Sequence, residues 1–363
     1  MANKRVYNFS SGPSMLPLPA LEKAAAEMTN FKDSGMSVME MSHRGKTYLS
    51  IFDETKARLK TALNVPDTHE IIFMQGGATF QFSAVPLNLM GENGVADYAV
   101  TGNFSSLAAK EAKKYGTVNI AVSSEDRNNT YIPTQKQITL TPGASYFHYC
   151  ANNTIYGTEW KYIPDTNGAP LVCDMSSNIL SKPVDVSKYG VIYAGVQKNM
   201  GPAGMAAVII DKALAGKELP FTPKCMSYKS TIDSDSMANT PPAYTIYMLG
   251  LVLEWLETQG GVAAIEKINV AKAKLLYDFI DESALFSGCA EPEARSIMNV
   301  TFTTGSDELD AAFCKEATAK GLETLKGHRL VNKMRASIYN AMPVEGVAAL
   351  VDFMKEFETK NKA

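Results

Sequence analysis

The chain has 363 residues, 45% of them hydrophobic and 20% charged, the composition of a globular protein with one large domain and room for a smaller one. A net charge of −3 and a pI near 5.9 exclude any general pull toward nucleic acid or anionic membrane, and no uninterrupted apolar run approaches the ~18 residues that span a bilayer. Five scattered cysteines, with no CxxC pair and no neighbouring histidine cluster, offer neither a disulfide framework nor a zinc site.

The opening residues, Met1 to Phe9, hold no apolar signal core, so a cytoplasmic location is expected. A first helix is predicted from Pro19 to Phe31, with Leu21, Ala24, Ala25, Met28 and Phe31 on one side. Tyr48, Ile51, Phe52, Leu59, Ala62 and Leu63 mark a second. A strand from Glu70 to Met74, a glycine turn and a helix from about Thr79 to Leu89 follow. Strands then recur at 98–101, 118–122, 145–149, 171–173, 191–194 and 206–210, which predicts an α/β domain with a mostly parallel sheet flanked by helices. A helix around Ile246 to Glu257 stops at Gln259-Gly-Gly261, and an amphipathic stretch runs from Val262 to Ile280. Beyond it lies a short α/β unit: strands at 297–302 and 334–338, helices at 307–320 and 343–357. A boundary near Gly260 therefore divides a large domain, residues 16–260, from a smaller C-terminal α/β domain, residues 261–363.

Lys198 is the residue with the most chemical promise. It follows the apolar run Val191 to Ala194 and sits among glycines in Tyr193-Ala-Gly-Val-Gln-Lys-Asn-Met-Gly-Pro-Ala-Gly204. A poorly solvated lysine with small neighbours can form a Schiff base with a flat aldehyde cofactor. Upstream, Asp174 ends the run Leu171-Val-Cys-Asp, at a separation that fits a strand, a crossover and a parallel strand. Both side chains would then reach the carboxyl edge of one sheet, where open α/β folds bind ligands. A buried carboxylate there would keep the ring nitrogen of pyridoxal phosphate protonated, and a helix N-cap is the structural alternative for Asp174.

Gln75-Gly-Gly-Ala-Thr-Phe-Gln81 lies between a strand and a helix, so its amides either hold a phosphate, with Thr79 adding a hydroxyl, or form a plain tight turn. Phe104 in Gly102-Asn-Phe-Ser105 is a ring-stacking platform or a core residue. Ser42-His-Arg-Gly45 and Gly327-His-Arg-Leu330 each set a histidine beside an arginine, and Arg335 follows on a predicted strand. Forked guanidinium contacts suit a small substrate with several negative charges, and a solvated surface is the alternative for each.

Six stretches together resemble the phosphoserine aminotransferase family of fold-type-I, class-V pyridoxal phosphate enzymes, over nearly the whole chain. They are Asn8-Phe-Ser-Ser-Gly-Pro13, Met39-Glu-Met-Ser-His-Arg-Gly45, Gln81-Phe-Ser-Ala-Val-Pro-Leu-Asn88, Gly190-Val-Ile-Tyr-Ala-Gly-Val-Gln-Lys-Asn199, Asn239-Thr-Pro-Pro242 and Met334-Arg-Ala-Ser-Ile-Tyr-Asn-Ala-Met342. The resemblance implies Lys198 as the Schiff-base lysine, Asp174 as the partner of the ring nitrogen, Phe104 stacked on the ring and Thr154 near its oxygen. It also implies that Ala78, Thr79 and Gln197 bind the cofactor phosphate. Asn239 and Thr240 would reach that phosphate from the partner of a homodimer, as would His43 and Arg44 toward the substrate. His328, Arg329 and Arg335 would hold substrate anions, and residues 1–15 would join the small domain. The implied reaction is reversible ping-pong transamination between L-glutamate and 3-phosphohydroxypyruvate on the path to serine, with the phosphorylated hydroxythreonine analogue of pyridoxine pathways left open.

Two positions depart from the family pattern. Some members carry arginine where this chain has Thr79, and many carry tryptophan at the place of Phe104. The first leaves the substrate phosphate to Arg44, His328 and Arg329; the second keeps a flat π face. A cysteine desulfurase-like lyase would need a mobile cysteine near Gly327, and a nicotinamide-dependent dehydrogenase would need a GxGxxG turn; the sequence has neither. A catalytically silent scaffold is opposed by the intact Lys198 and Asp174.

Overall fold

The computed structural model describes residues 5–361. Residues 1–4 and 362–363, which belong to the expected segments 1–15 and 261–363 and to the opening stretch without a signal core, lie outside the described residues.

Seven strands build the central sheet: β1 (His69–Gln75), β2 (Val95–Val100), β3 (Thr117–Ser123), β4 (Phe147–Cys150), β5 (Leu171–Asp174), β6 (Val191–Gly195) and β7 (Met205–Asp211). Their order is β1-β7-β6-β5-β4-β2-β3, and β7 alone runs against its neighbours. Alternation along the strands explains why the sheet is covered on both faces. Ile71, Phe73, Cys173, Ile192 and Ile209 pack into one core with helices α1 (Leu18–Ala26), α2 (Lys46–Ala62) and α6 (Ala243–Thr258). Ile72, Met74, Val172, Tyr193 and Val208 pack into another with α3 (Gly77–Leu89), α4 (Asn103–Ala112) and the short α5 (Tyr228–Asp233).

A third core lies C-terminal. Helices α7 (Val262–Glu282), α8 (Asp307–Ala319) and α9 (Val344–Asn361) cover a small antiparallel sheet of β8 (Ser287–Gly288), β9 (Asn299–Thr303) and β10 (Met334–Ser337). Phe302, Phe313, Phe353 and Phe357 meet at its centre, and Phe9 from the N-terminal segment joins them. Helix α7 serves two cores: Val262 and Ile265 pack with the large sheet, Ala273, Leu276 and Ile280 with the small one. Tyr7–Asn8 pairs in parallel with Leu322–Glu323, so the N-terminal segment runs along the small sheet's side of the molecule before reaching the site.

One sequence expectation needs correction, and two stretches carry none. The first helix stops at Ala26 rather than Phe31: Glu27 leaves the helical conformation at φ −91° and ψ 2°, and further on Lys32 and Asp33 take left-handed φ values of 45° and 60° while the Asn30 side chain accepts the Gly35 amide at 2.8 Å. Phe31 still reaches the core from the turn. Helix α4 follows Gly102 where the polar Asn103 and paired serines weaken the helical signal; Ser105 Oγ secures its start by accepting the Thr101 amide and donating to the Gly102 carbonyl. The crossover from β5 to β6, for which the sequence suggests only a length, contains a 3-10 turn, Val186–Lys188. Among the described residues no helix is long and apolar enough to cross a membrane.

Candidate active site

Because only β7 is reversed, the carboxyl ends of β1, β2, β4, β5 and β6 open onto one edge, and the loops leaving them converge there. Lys198 sits just past β6 in a tight turn closed by the amides of Met200 and Gly201 on the Val196 carbonyl. Its Nζ donates to Thr154 Oγ1 at 2.7 Å and stands 5.1 Å from the centroid of the Phe104 ring. Burial lowers the ammonium's pKa; Asp174 and Cys150 oppose that shift and the Arg335 charge adds to it. The lysine stem is packed by the N-terminal segment, since a Cβ on Gly12 would lie 3.0 Å from Lys198 Cγ at a φ of 137°. Ser14 completes the grip, its Oγ donating to the Lys198 carbonyl and its amide to the Gln197 carbonyl.

Asp174 is the last residue of β5 and 5% exposed. Burial raises its pKa, and the Lys198 charge and Ser176, whose amide reaches Oδ1 at 2.9 Å, pull it back. No α-helix begins at this point, so the helix N-cap alternative falls away and the carboxylate instead closes a buried turn.

At the end of β1, Gly76 and Gly77 take φ values of 90° and 66°, conformations that side chains resist, and turn the chain into α3. No side chain caps α3, so the first amides, those of Gly77, Ala78 and Thr79, present its positive end. Gln197 and Ala78 meet there: a Cβ on Gly195 would lie 2.9 Å from Gln197 Oε1 and 3.4 Å from Ala78 Cβ. Opposite, Arg335 on β10 is 8% exposed. It donates to Ser11 Oγ at 2.7 Å and to the Thr154 carbonyl at 3.4 Å, while its buried Nε has no hydrogen-bond partner.

This is a lysine, a carboxylate, an uncapped helix start and a half-satisfied guanidinium around one sheet edge. A family model described as aminotransferase class-V matches residues 6–350. The chain belongs to the class-V aminotransferases. Within the class it falls among the phosphoserine aminotransferases: it is 51% identical over 360 residues to that of Janthinobacterium sp. (strain Marseille), covering 98% of this chain and 99% of the relative. The solved phosphoserine aminotransferase of Bacillus circulans subsp. alkalophilus superposes with a TM-score of 0.97 at 43% identity, covering 99% of each chain. The pyridoxal phosphate-bound one from Trichomonas vaginalis gives 0.93 at 44% identity, covering 97% of this chain and 100% of that one.

The remaining sequence candidates of this aminotransferase lie further out. Asn239 and Thr240 are exposed and held by Gln75, which accepts from Asn239 Nδ2 and donates to the Thr240 carbonyl, both at 2.8 Å. His43 is half-buried and Arg44 exposed in the loop before α2. His328 is half-buried and Arg329 exposed; burial lowers the His328 pKa and the charges of Arg335 and Arg329 lower it further.

Sequence reading missed Ser11, Gly12 and Ser14, although all three lie in or beside the Asn8 to Pro13 stretch that carries the resemblance. It also missed His148, which stacks at 4.8 Å on Tyr98 and at 5.9 Å on Tyr193 and bonds the Tyr193 hydroxyl at 2.8 Å. Burial pushes His148 down to about 3 from the usual 6.5, so the folded protein keeps it neutral. A depressed folded pKa contributes stability that is full above the unfolded value and lost as pH falls toward 3. The stability advantage of the parent over His148→Gln therefore narrows by about 1.4 kcal/mol per pH unit below 6.5. Denaturant melts of both proteins between pH 7 and 4 check this, and an advantage independent of pH contradicts it.

Proposed function

We propose that this chain binds pyridoxal phosphate and transfers an amino group reversibly between L-glutamate and 3-phosphohydroxypyruvate, giving 2-oxoglutarate and O-phospho-L-serine. The supporting observation is the meeting of the depressed Lys198 ammonium, the buried Asp174 carboxylate and the unsatisfied Arg335 Nε at one sheet edge. The residues present fit the cofactor. Asp174 is a buried anion suited to hold a proton on a ring nitrogen, the uncapped start of α3 with Ala78, Thr79 and Gln197 suits a phosphate, and Phe104 offers a flat face. When bound, pyridoxal phosphate supplies an aldehyde that condenses with amines and a ring that takes up the electron pair left at a deprotonated carbon.

The protein's own residues do the rest. Thr154 aims the Lys198 amine, and burial enlarges its neutral, nucleophilic fraction. With the cofactor in place, Lys198 Nζ would serve as the base that takes up and returns the proton at the substrate's α-carbon. Arg335, already fixed by Ser11 and the Thr154 carbonyl, receives the substrate's α-carboxylate, and Arg44, His328 and Arg329 receive its second anionic group. Without an arginine at Thr79, those three carry the whole selectivity for phosphate.

The exposure of Asn239, Thr240, His43 and Arg44 on the single chain supports a homodimer in which each protomer completes its partner's site. The separate cores support a large domain over 16–260 and a small one over 261–363 with 1–15, and a biosynthetic role supports a cytoplasmic location.

The test offers purified protein glutamate and a panel of keto acids with and without a phosphate, including the phosphorylated hydroxythreonine-type acceptor, and follows 2-oxoglutarate. Phosphorylated acceptors turn over faster and initial-rate plots run parallel; equal rates with and without phosphate overturn the substrate, and intersecting plots the ping-pong order. Arg335→Gln raises KM for glutamate about a hundredfold, the loss of a charge-assisted pair worth 1.5–3 kcal/mol. An unchanged KM removes Arg335 from carboxylate binding.

A further inference from the structure

Behind the site, three consecutive backbone carbonyls of the loop after Asp174 each accept a side-chain amide from a different asparagine. Asn199 Nδ2 reaches the Ile179 carbonyl at 2.7 Å, Asn340 Nδ2 the Leu180 carbonyl at 2.9 Å and Asn269 Nδ2 the Ser181 carbonyl at 3.0 Å. The three residues are also linked to one another. Asn269 Nδ2 donates to the Asn340 side chain at Oδ1, at 2.8 Å, and the backbone N–H of Asn340 donates to Asn199 Oδ1 at 2.9 Å. All three asparagines are buried, with exposures of 7%, 0% and 6% for Asn199, Asn269 and Asn340.

Their origins matter. Asn199 is the neighbour of Lys198, Asn269 lies midway along α7 and Asn340 follows β10, the strand that carries Arg335. The loop they hold contains Leu180, buried at 1% exposure with a left-handed φ of 62°, a conformation a leucine adopts only when its surroundings impose it. One helical turn along α7, the fully buried Lys272 donates to the carbonyls of Ile338, Tyr339 and Met342 at 3.1, 2.8 and 3.0 Å, one for each ammonium proton. Tyr339 in turn donates from its hydroxyl to the Ser11 carbonyl at 2.8 Å, and Ser11 is the residue that receives Arg335.

We propose that Asn199, Asn269 and Asn340 form a positioning ladder that fixes Asp174 and Lys198 relative to each other and to the Arg335 strand, with Lys272 holding the turn from which Asn340 projects. The physical case rests on redundancy of donors. A buried loop with a strained leucine and three solvent-free carbonyls needs three donors; here one comes from the neighbour of Lys198, one from the turn after the Arg335 strand and one from α7, which packs on both the large and the C-terminal core. Buried amide networks are costly when one member is lost, because every remaining polar group stays desolvated. The ladder therefore transmits a shift of either domain to the distance between the carboxylate and the amine. None of its members touches substrate; they act through Asp174, Lys198 and Arg335. The inference rests on the roles given to those three residues above.

The test compares the holoenzyme with Asn340→Ala, Asn269→Ala and a control, Asp97→Asn. Asp97 is equally buried and bonded, to Asn119 and Thr141, but lies toward the amino end of β2, away from the site. In the two ladder variants kcat falls about a hundredfold, the loss attached to a misplacement of about 1 Å, while KM for glutamate hardly moves. The pH midpoint of the bound cofactor's absorbance shifts by about one unit, because the Lys198 environment changes. Asp97→Asn lowers the melting temperature but keeps kcat and the absorbance midpoint of the parent. Ladder variants that behave like the control overturn the proposal. Where Asn340→Ala does not fold, Asn340→Ser and Asn269→Ser are read the same way, and parental values overturn it equally. A parent that takes up no pyridoxal phosphate overturns the assignment of Lys198 and the ladder's role with it; a parent that does, with unchanged ladder variants, overturns the ladder alone.

Discussion

Replacing Lys198 by alanine lowers kcat roughly ten-thousandfold, the upper range for loss of a positioned proton-transfer group, and removes the absorbance band of the lysine-bound cofactor. The buried Lys272 cannot take its place, because its amine is tied to three carbonyls of the turn behind the site. Lys198→Arg tests the chemistry against the charge, because a guanidinium keeps the positive charge beside Asp174 but cannot condense with an aldehyde. It is as inactive as the alanine variant. A residual absorbance band in either variant contradicts the assignment. Without cofactor, the same substitution has a stability consequence with a defined sign. The folded ammonium's pKa is depressed by burial, so Lys198 contributes stability above its unfolded value near 10.5 and loses it as pH falls through the folded value. The cofactor-free Lys198→Met chain is accordingly more stable than the parent at neutral pH, and the gain disappears in alkaline solution.

Asp174→Asn lowers kcat about a thousandfold while leaving the cofactor bound, because a neutral amide cannot hold a proton on the ring nitrogen and the site loses the charge that balances it. Asp174→Glu recovers part of the loss, since the charge returns at a shifted position. Equal activity of Asp174→Asn and the parent would falsify the role. Here the stability sign is the mirror of the lysine's. The folded carboxyl pKa is raised, so its contribution is present below the unfolded value of 3.8 and lost as pH rises through the folded one. The cofactor-free Asp174→Asn chain is thus more stable than the parent at pH 7, and the difference closes on acidification. On these signs both groups lower the stability of the cofactor-free chain, as residues placed for chemistry rather than packing do.

The asparagine contacts and the N-terminal segment brace, from outside the sheet, a site whose principal groups sit on it. Asp174 and Lys198 belong to adjacent strands, but their loops are held from outside the sheet. Ser11, Gly12 and Ser14 press on the lysine and Arg335 from one side, and Asn269 and Asn340 hold the loop after Asp174 from the other.

Local chemistry in the sequence determined a good deal by itself. The apolar runs at 71–74, 171–173, 191–194 and 206–210 lie on strands because both faces of the sheet are buried, a condition written directly into hydrophobic pattern. Lys198 and Asp174 were recognisable because one follows such a run within a few residues and the other ends one, and the end of a parallel strand points to the ligand edge whatever the rest of the fold does. The glycine turn before α3 was equally local, since a left-handed φ selects glycine. The first helix was overextended because Phe31 keeps helical spacing, yet the left-handed turn at Lys32 and Asp33, which pattern does not encode, delivers it to the same core.

Only the tertiary structure decided which polar residues meet. Thr154 on Lys198, Ser11 on Arg335, His148 between two tyrosines, and the convergence of Asn199, Asn269 and Asn340 on three adjacent carbonyls are contacts between segments far apart in the chain. Asparagine, serine and threonine read alike in sequence whether they face water or a buried carbonyl. Their contacts follow from strand order, register and the packing of the C-terminal core, which set where each donor finds its acceptor.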